Sequence, residues 1–234
     1  MNVLITGANR GLGYELAAES IRRGHHVVAL VRDEAASEQL QASLHVQSLN
    51  EQQITIMLAD VRDEEAIQVA AQQLKADGLK LDCIMNSAAV LLGRQTAIEA
   101  LDMEDMQLSF DVNLFGPIRV IKHMIGLLAD EEGSIINISS EAGSIHHAYA
   151  GDYPYSLSKC ALNLLSEQLK RMLSGKGVYV WSIHPGWMRT DMGGSAAPLS
   201  PQQSAVGIIN IMERKVAIET NFSFIDYRGE AMDI

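Results

Sequence analysis

Tyr155 and Lys159 stand four residues apart in a stretch whose apolar spacing is helical. Residues at positions i and i+4 share one face of a helix, so the phenol and the amine should project side by side. A free phenol has a pKa of about 10 and exchanges protons poorly near neutral pH. A lysine ammonium beside it should lower that pKa, so that Tyr155 could give a proton to a carbonyl oxygen or take one from an alcohol. Such a pair also occurs by chance on surface helices, and its meaning depends on its surroundings.

Three other polar residues fall where they could act with this pair. Ser139 and Ser140 end an apolar strand-like run, and a hydroxyl at that place could hydrogen-bond a substrate oxygen. Asn113 lies midway along a long helical stretch, where asparagine is unfavourable unless its side chain has a partner. Pro117 follows it and predicts a local break or kink, whose free carbonyl could hold a water near Lys159.

A glycine-rich turn, TGANRGLG at 6–13, follows the first apolar run and opens the first helical stretch. Gly7 permits a tight turn with positive φ, Gly11 lets the backbone approach a pyrophosphate, and Gly13 lets the helix pack close to the strand. The glycine spacing differs from G-x-G-x-x-G, but the position in the first strand–helix unit is the same. The turn therefore predicts a dinucleotide-binding site.

The end of the second apolar run, Val31-Arg32-Asp33, bears on the choice between NAD and NADP. An NAD site usually has an acidic residue there, which holds the ribose 2′-hydroxyl. Val31 cannot accept that hydroxyl, whereas Arg32 could pair with a 2′-phosphate, and Arg10 could reach the same phosphate from the glycine turn. Asp33 leaves NAD(H) as the alternative, although it also suits the cap of the next helix. The sequence favours NADP(H).

The elements that must position these residues alternate along the whole chain. The apolar runs predict strands at 2–6, 27–31, 54–58, 82–86, 134–138, 178–183 and 222–225, and the amphipathic stretches predict helices at 11–23, 34–43, 63–76, 102–128, 154–173 and 201–213. This alternation predicts one α/β domain over 1–234, a doubly wound, Rossmann-type parallel sheet of about seven strands with helices on both faces. Ligands of such sheets bind beyond the carboxyl ends of the strands.

The composition excludes several classes of protein. The formal charge of −11 argues against non-specific nucleic-acid binding. No run of 18 or more apolar residues predicts a membrane span, and the first residues do not resemble a signal peptide. Cys83 and Cys160 match no metal-ligand spacing and are expected to be reduced thiols, which suits the cytoplasm.

The order and spacing of the motifs resemble the compact, single-domain short-chain dehydrogenase/reductases over essentially the full length. The matching parts are TGANRGLG at 6–13, Asp60-Val61, NSAA at 86–89, Asn113, Ser140, Tyr155 with Lys159, and PGWMRT at 185–190. The resemblance implies a catalytic tetrad of Asn113, Ser140, Tyr155 and Lys159. Ser140 is preferred to Ser139 because the family uses the second serine of such a pair.

The resemblance also implies a set of cofactor contacts. Asp60 and Val61 would contact the adenine, Asn86 would steady the central sheet beside the cofactor, and 185–190 would orient the nicotinamide carboxamide. The implied contacts are Gly7, Asn9, Arg10, Gly11, Leu12, Gly13, Arg32, Asp60, Val61, Asn86, Ser87, Ala88, Tyr155, Lys159, Pro185, Gly186, Met188 and Thr190.

Two departures from the family pattern stand out. Ser87 and Ala89 replace the asparagine and glycine that usually follow the fourth strand, and the Ala89 methyl could shift the backbone near the ribose. Ser140 precedes Tyr155 by fifteen residues, whereas the family more often has thirteen. The longer loop and the segment PGWMRTDMGG are similar to the carbonyl reductase subgroup related to C-factor and sniffer proteins.

The loops that should border the substrate hold several residues of open role. His146 and His147 could contact the substrate or face solvent, and no third ligand at a sensible spacing supports a metal site, so no metal is expected. Trp187 could cover the nicotinamide or pack within its own loop. Residues 189–200 are rich in Gly, Ala, Ser and Pro and are expected to form a lid over the substrate.

The expected function is NADP(H)-dependent transfer of a hydride between the nicotinamide and the carbonyl or alcohol carbon of a small substrate, with Tyr155 as the acid or base. Because cells keep NADPH reduced, carbonyl reduction is the favoured direction. A sugar-nucleotide epimerase would carry a different glycine turn and a further substrate domain. A dinucleotide-sensing protein without turnover is the alternative from another class. The resemblance further implies a homodimer or homotetramer, with 102–128 and 154–173 as the interface.

Overall fold

The computed structural model describes residues 1–234 and contains seven strands and seven α-helices. The strands are β1 (Asn2–Thr6), β2 (His26–Val31), β3 (Ile54–Leu58), β4 (Cys83–Asn86), β5 (Ser134–Ile138), β6 (Tyr179–His184) and β7 (Phe224–Asp226). The helices are α1 (Gly11–Arg22), α2 (Glu34–Val46), α3 (Glu64–Ala76), α4 (Met103–Phe110), α5 (Gly116–Met124), α6 (Tyr153–Leu173) and α7 (Pro201–Met212).

All seven strands form one parallel sheet in the order β3-β2-β1-β4-β5-β6-β7. The chain winds outward from β1 to β3 and then returns to place β4 on the other side of β1. The predicted doubly wound fold is confirmed. The direction of winding changes between β1 and β4, and ligands of open α/β sheets bind at the carboxyl end of such a switch point.

Neighbouring residues of the central strands face opposite sides of the sheet. Val3 and Ile5 of β1 belong to one buried apolar cluster, and Leu4 belongs to the other. Both faces are covered by helices, which explains why the central strands are continuous apolar runs rather than alternating ones.

Helix caps follow the side-chain chemistry of the sequence. Asp33 accepts a hydrogen bond from the N–H of Ala36 at 2.9 Å and so caps α2, as its sequence position predicts. Ser200 and Gln203 form a capping box at the start of α7. The cap at Asp33 fixes the point at which the chain leaves the carboxyl end of β2.

The predicted helix 102–128 is interrupted. Residues 111–115 form a π-helical segment between α4 and α5, in which the N–H of Gly116 donates to the carbonyl of Asp111. Pro117 lacks the N–H that would bond to the Asn113 carbonyl in a regular α-helix, which explains the wider turn. The break predicted near Pro117 is confirmed, and Asn113 lies inside it.

None of the helices combines the length and the apolar composition that a membrane-crossing segment needs.

Candidate active site

Tyr155 and Lys159 lie on one face of the first turns of α6. The Lys159 Nζ is 5.5 Å from the centre of the Tyr155 ring. The amine is 2% exposed and donates a hydrogen bond of 2.7 Å to the carbonyl of Ile138 at the end of β5. That bond ties α6 to the carboxyl edge of the sheet, because α6 and β5 contribute one partner each.

The two serines after β5 have different environments. Ser139 is buried, and its hydroxyl donates to Asn163 Oδ1 at 2.6 Å, in the interior behind α6. Ser140 is half-buried, and its hydroxyl accepts from the N–H of Ala142 at 3.2 Å. Ser140 also interacts with the phenol of Tyr155. Of the pair, Ser140 is therefore the serine on the Tyr155 side.

Asn113 has a structural partner at every polar atom of its side chain. It is fully buried, accepts from the N–H of Val90 at 2.8 Å and donates to the Val90 carbonyl at 2.9 Å. It also donates to the hydroxyl of Ser158 at 3.0 Å. Asn113 thus joins the π-helical segment, the loop that follows β4 and the residue before Lys159, which gives this mid-helix asparagine the partner that its position required.

The pKa values of the pair differ from the sequence-based expectation. Burial raises the pKa of Tyr155 to about 12, and the Ser140 hydroxyl only partly opposes it. Burial also lowers the pKa of Lys159 to about 7. The prediction that a lysine charge lowers the Tyr155 pKa is wrong for the protein alone, because the amine itself is desolvated and loses part of its charge near neutral pH.

Asp152 is a residue of this site that sequence reasoning missed. It precedes α6 in the left-handed region, with φ of 49°, which is uncommon for a residue other than glycine. Its carboxylate accepts from the N–H of Gln95 at 2.8 Å and from the hydroxyl of Tyr149 at 3.0 Å. Asp152 therefore holds two loops against the start of α6. No spacing rule in the sequence indicates these contacts.

The glycine turn forms a backbone cradle at the carboxyl end of β1. Gly7 has φ of +67°, and a Cβ there would lie 2.9 Å from the Cα of Ala88. A Cβ on Gly13 would lie 2.2 Å from the Gly7 carbonyl oxygen, so α1 can approach β1 only with glycine there. Beside Gly11, by contrast, the nearest atom to such a Cβ is Thr190 Cγ2 at 3.9 Å. These residues fit a dinucleotide, whose pyrophosphate would occupy the open space at the N-terminus of α1.

The cradle is braced from β4. Thr6 Oγ1 accepts hydrogen bonds of 3.0 Å from the N–H groups of both Ser87 and Ala88. Ala89 does not have a positive φ, so alanine is accommodated there without the backbone strain that a missing glycine could have caused.

Arg10 and Arg32 are both exposed at this edge, and each has an acidic partner. Arg10 lies 3.3 Å from Asp191, with 64% of its side chain exposed. Arg32 donates to Asp33 at 2.8 Å, with 68% exposed. Exposed ion pairs of this kind contribute little to stability, so both guanidinium groups can exchange partners at low cost.

The family model of the short-chain dehydrogenases matches residues 1–199. The chain belongs to the short-chain dehydrogenase family. Serine 3-dehydrogenase of Rhizobium radiobacter is 32% identical over 193 residues, which cover 81% of this chain and 72% of that protein. The NADP-dependent 3-hydroxy acid dehydrogenase of Escherichia coli strain K12 is 32% identical over 187 residues, which cover 80% of this chain and 72% of that protein.

Solved structures of the family superpose over the whole of this short-chain dehydrogenase. The carbonyl reductase Sniffer of D. melanogaster has a TM-score of 0.88 at 27% identity and covers 100% of this chain and 99% of its own. The NADPH-bound carbonyl reductase from chicken fatty liver has a TM-score of 0.84 at 26% identity, with coverage of 100% and 98%. The predicted likeness to sniffer-type carbonyl reductases is confirmed.

In this short-chain dehydrogenase, the residues expected at the adenine and the central sheet take structural roles. Asn86 is buried and donates to Asn137 Oδ1 at 2.8 Å, and Asn137 donates to the Ser166 hydroxyl on α6 at 2.9 Å. Asp60 pairs with Arg62 at 2.8 Å, and despite burial this partner lowers the pKa of the Asp60 carboxyl. Asn86 thus links β4, through Asn137 on β5, to α6, and its place beside the cofactor stays a prediction.

The segment 189–200 contacts both the glycine turn and the loop that holds Arg94. Asp191 faces Arg10 of the glycine turn, and the Met192 carbonyl accepts from Arg94 at 2.7 Å. Trp187 is 57% exposed and donates to the Gly193 carbonyl at 2.7 Å, so its indole N–H is bonded within its own loop.

His146 and His147 lie close to Asp233 and Ile234. Their Nε2 atoms lie 3.9 and 4.0 Å from Asp233 Oδ2, and the His146 N–H donates to the carbonyl of Ile234 at 3.2 Å. No spacing in the sequence indicated a third metal-ligating group, but Asp233 reaches the two histidines from far along the sequence. All three side chains are exposed, and the expectation that no metal binds stays a prediction.

Proposed function

We propose that this protein is an NADP(H)-dependent carbonyl reductase in which Tyr155 donates a proton to the carbonyl oxygen of a small substrate. The observation that carries the proposal is that the half-buried Tyr155 has both the Ser140 hydroxyl and the Lys159 amine near it, at the carboxyl edge of the sheet. Membership of the short-chain dehydrogenase family supports it.

The raised pKa of Tyr155 suits the direction of reduction. With a pKa of about 12 the phenol is protonated at neutral pH, which is the form that a proton donor needs. The Ser140 hydroxyl would hydrogen-bond the substrate oxygen and orient it toward the phenol. Lys159, with a pKa of about 7, can gain and lose a proton near neutral pH and would return one to Tyr155 after each turnover. NADPH, when bound, supplies the hydride.

The cofactor would lie across the switch point of the sheet. Its pyrophosphate would contact the backbone of the glycine turn, and Arg10 and Arg32 would contact the 2′-phosphate of NADPH. Their exposure and their exchangeable partners support that role. The NADPH-bound chicken reductase and the NADP-dependent Escherichia coli dehydrogenase are consistent with the same cofactor.

The substrate class of the relatives is mixed. The solved neighbours include carbonyl reductases, whereas the curated relatives include a serine dehydrogenase and a 3-hydroxy acid dehydrogenase. We infer that the substrate is a small carbonyl compound, which is reduced to the alcohol, and that the same site can catalyse the reverse oxidation.

A carbonyl panel tests the proposal. The purified protein is mixed with NADPH or NADH and a series of aldehydes, ketones, oxo acids and quinones, while the absorbance of the reduced cofactor is followed. We expect oxidation of NADPH with at least one class, and a kcat/KM for NADPH that exceeds that for NADH. Tight NADPH binding with no oxidation across the panel would contradict the proposal and favour a dinucleotide-sensing protein.

We further propose a homodimer or homotetramer built on the long helices. Phe115 and Ile118 near the start of α5, and Leu157 and Leu164 on α6, expose 38–62% of their surface. Exposed apolar side chains grouped on helices are typical of protein interfaces. Light scattering after size-exclusion chromatography should give twice or four times the mass of the chain, and a monomer would contradict this.

A further inference from the structure

We propose that Arg94 binds a carboxylate group of the substrate, so that the preferred substrates are small oxo acids and the corresponding hydroxy acids. The proposal rests on the carbonyl reduction at Tyr155 proposed above and adds a specificity residue to it.

The backbone around Arg94 is fixed beside the start of the catalytic helix. A Cβ on Gly93 would lie 3.1 Å from Pro154 Cγ, so the two segments are in close contact there. On the other side of Arg94, the N–H of Gln95 donates to Asp152 at 2.8 Å. Arg94 is therefore held between two anchors, both against the residues that directly precede Tyr155.

The side chain of Arg94 extends from this place to the segment 189–200. Its Nη2 donates to the carbonyl of Met192, in the segment 189–200, at 2.7 Å. That bond is the one hydrogen bond that its guanidinium makes, although a guanidinium has five N–H donors. An anion beside Arg94 would find several of these donors free.

Arg94 also differs from Arg10 and Arg32 in its charge balance. Arg10 has Asp191 and Arg32 has Asp33 as acidic partners, but no carboxylate lies within 4.0 Å of Arg94. Since the chain carries a formal charge of −11, its overall field repels anions, and an acidic substrate needs a local cation. The guanidinium of Arg94, without an acidic partner beside the start of α6, supplies that cation.

The charge of Arg94 acts on the reacting phenol. Burial is the main cause that raises the pKa of Tyr155, and the charge of Arg94 opposes it. The same holds for Tyr149, which lies on the adjoining loop. The guanidinium thus lies within electrostatic reach of the atom that would donate the proton.

A guanidinium pairs with a carboxylate through two parallel N–H···O bonds, which fix orientation as well as position. An oxo acid held this way would present its carbonyl, one or two carbons away, toward Tyr155 and Ser140. Neutral ketones would lose that orientation. The competing interpretation is that Arg94 only holds the segment 189–200 closed through Met192.

Acetoacetate and its methyl ester distinguish these interpretations, because they carry the same ketone with and without a charged group. We expect the wild-type protein with NADPH to reduce the acid with the larger kcat/KM. In Arg94→Ala the acid-to-ester ratio of kcat/KM should fall by about 10- to 100-fold, as for loss of a charge-assisted hydrogen bond. In Arg94→Lys this ratio should fall by a smaller factor, because the positive charge is kept. Arg171→Ala removes an exposed charge at the far end of α6 and should leave the ratio unchanged.

Equal losses for acid and ester in Arg94→Ala would show a loop-holding role and would overturn the assignment, as would a wild-type preference for the ester. Thermal unfolding of each variant shows whether it is folded. If neither compound nor any neutral carbonyl is reduced, the proposed function fails and the assignment fails with it. Reduction of neutral carbonyls without a preference for the acid overturns the assignment alone.

Discussion

The side chain of Asn113 donates a hydrogen bond of 3.0 Å to the hydroxyl of Ser158, the residue directly before Lys159. The π-helical turn that Pro117 imposes brings this amide against α6, and its remaining atoms are used by the backbone of Val90. The position of Lys159 therefore depends on a residue in a different helix.

Replacement of Asn113 by Ala should lower both stability and turnover. It leaves the N–H and carbonyl of Val90 without their partner and removes the donor to the Ser158 hydroxyl, so we expect the free energy of unfolding to fall by about 2 kcal/mol. We expect kcat for carbonyl reduction to fall at least about 10-fold. Ser109→Ala is the matched control, since Ser109 is equally buried on α4 but its hydroxyl has no partner. Denaturation and steady-state kinetics measure both effects, and similar losses in the two variants would contradict the role of Asn113.

Replacement of Asp152 should act on the substrate loops rather than on the cofactor. Asp152→Ala removes the two hydrogen bonds that the carboxylate accepts from Gln95 and Tyr149. It also places alanine at a positive φ, which alanine adopts less readily than aspartate. We therefore expect KM for the carbonyl to rise several-fold while Kd for NADPH is unchanged. Asp152→Asn keeps an acceptor and tolerates this conformation, and it should retain most of the activity.

The Asp152→Asn variant also gives a pH test. Burial is the main cause that raises the pKa of Tyr155, and the negative charge of Asp152 raises it further. Removal of that charge should therefore shift the alkaline limb of the pH–rate profile to lower pH. An unshifted limb, or Asp152→Asn as impaired as Asp152→Ala, would contradict this account.

Replacement of Arg32 tests the 2′-phosphate contact. Arg32→Ala should reduce the ratio of kcat/KM for NADPH to that for NADH by about 10-fold or more, because a guanidinium–phosphate pair is lost. Arg22→Ala removes the same charge at the C-terminal end of α1 and should leave the ratio unaltered. Competition kinetics with both cofactors decide it, and an unchanged preference in Arg32→Ala would refute the assignment.

Glu213 should control stability in acid. Burial pushes the pKa of Glu213 upward, but hydrogen bonds from Lys215, Arg23 and His25 outweigh it and hold the pKa at about 2. Because the folded pKa lies below the unfolded value of about 4.3, the stabilisation is present above that value and is lost as the pH falls toward 2.

Glu213→Gln should therefore lower the free energy of unfolding by about 2 kcal/mol at pH 7 and narrow its difference from the wild type as the pH falls from 5 to 2. The exposed Glu38 forms no ion pair, and Glu38→Gln is the control. Denaturant unfolding across this range measures both. A difference that does not depend on pH would contradict the linkage.

The fold was accessible from the sequence because its signals are local. Continuous apolar runs such as 134–138 and helix caps such as Asp33 depend on neighbours within a few residues, and the structure has them where the pattern predicts. The break near Pro117 is equally local, since it follows from one missing N–H.

The candidate site could be predicted only in part from the sequence, because its pKa shifts and its loop contacts depend on residues far apart in the chain. The pKa shifts of Tyr155 and Lys159 come from burial, which depends on the whole packed domain. Asp152 and Gln95 are 57 residues apart in sequence, and Asp233 reaches His146 from the end of the chain. No periodicity or spacing encodes such pairs, so the sequence indicated candidate reacting residues but not the residues that position the loops.

The central claim is that Tyr155 donates the proton in carbonyl reduction, and single-turnover oxidation of bound NADPH by a reducible carbonyl in Tyr155→Phe tests it most directly. The control is Tyr153→Phe, two residues earlier on the same helix and without a lysine four residues on. We predict that Tyr155→Phe slows the turnover by about 10²- to 10⁴-fold with Kd for NADPH within about threefold of the wild type, and that Tyr153→Phe stays near the wild-type rate. A Tyr155→Phe variant that keeps the wild-type rate would contradict the account.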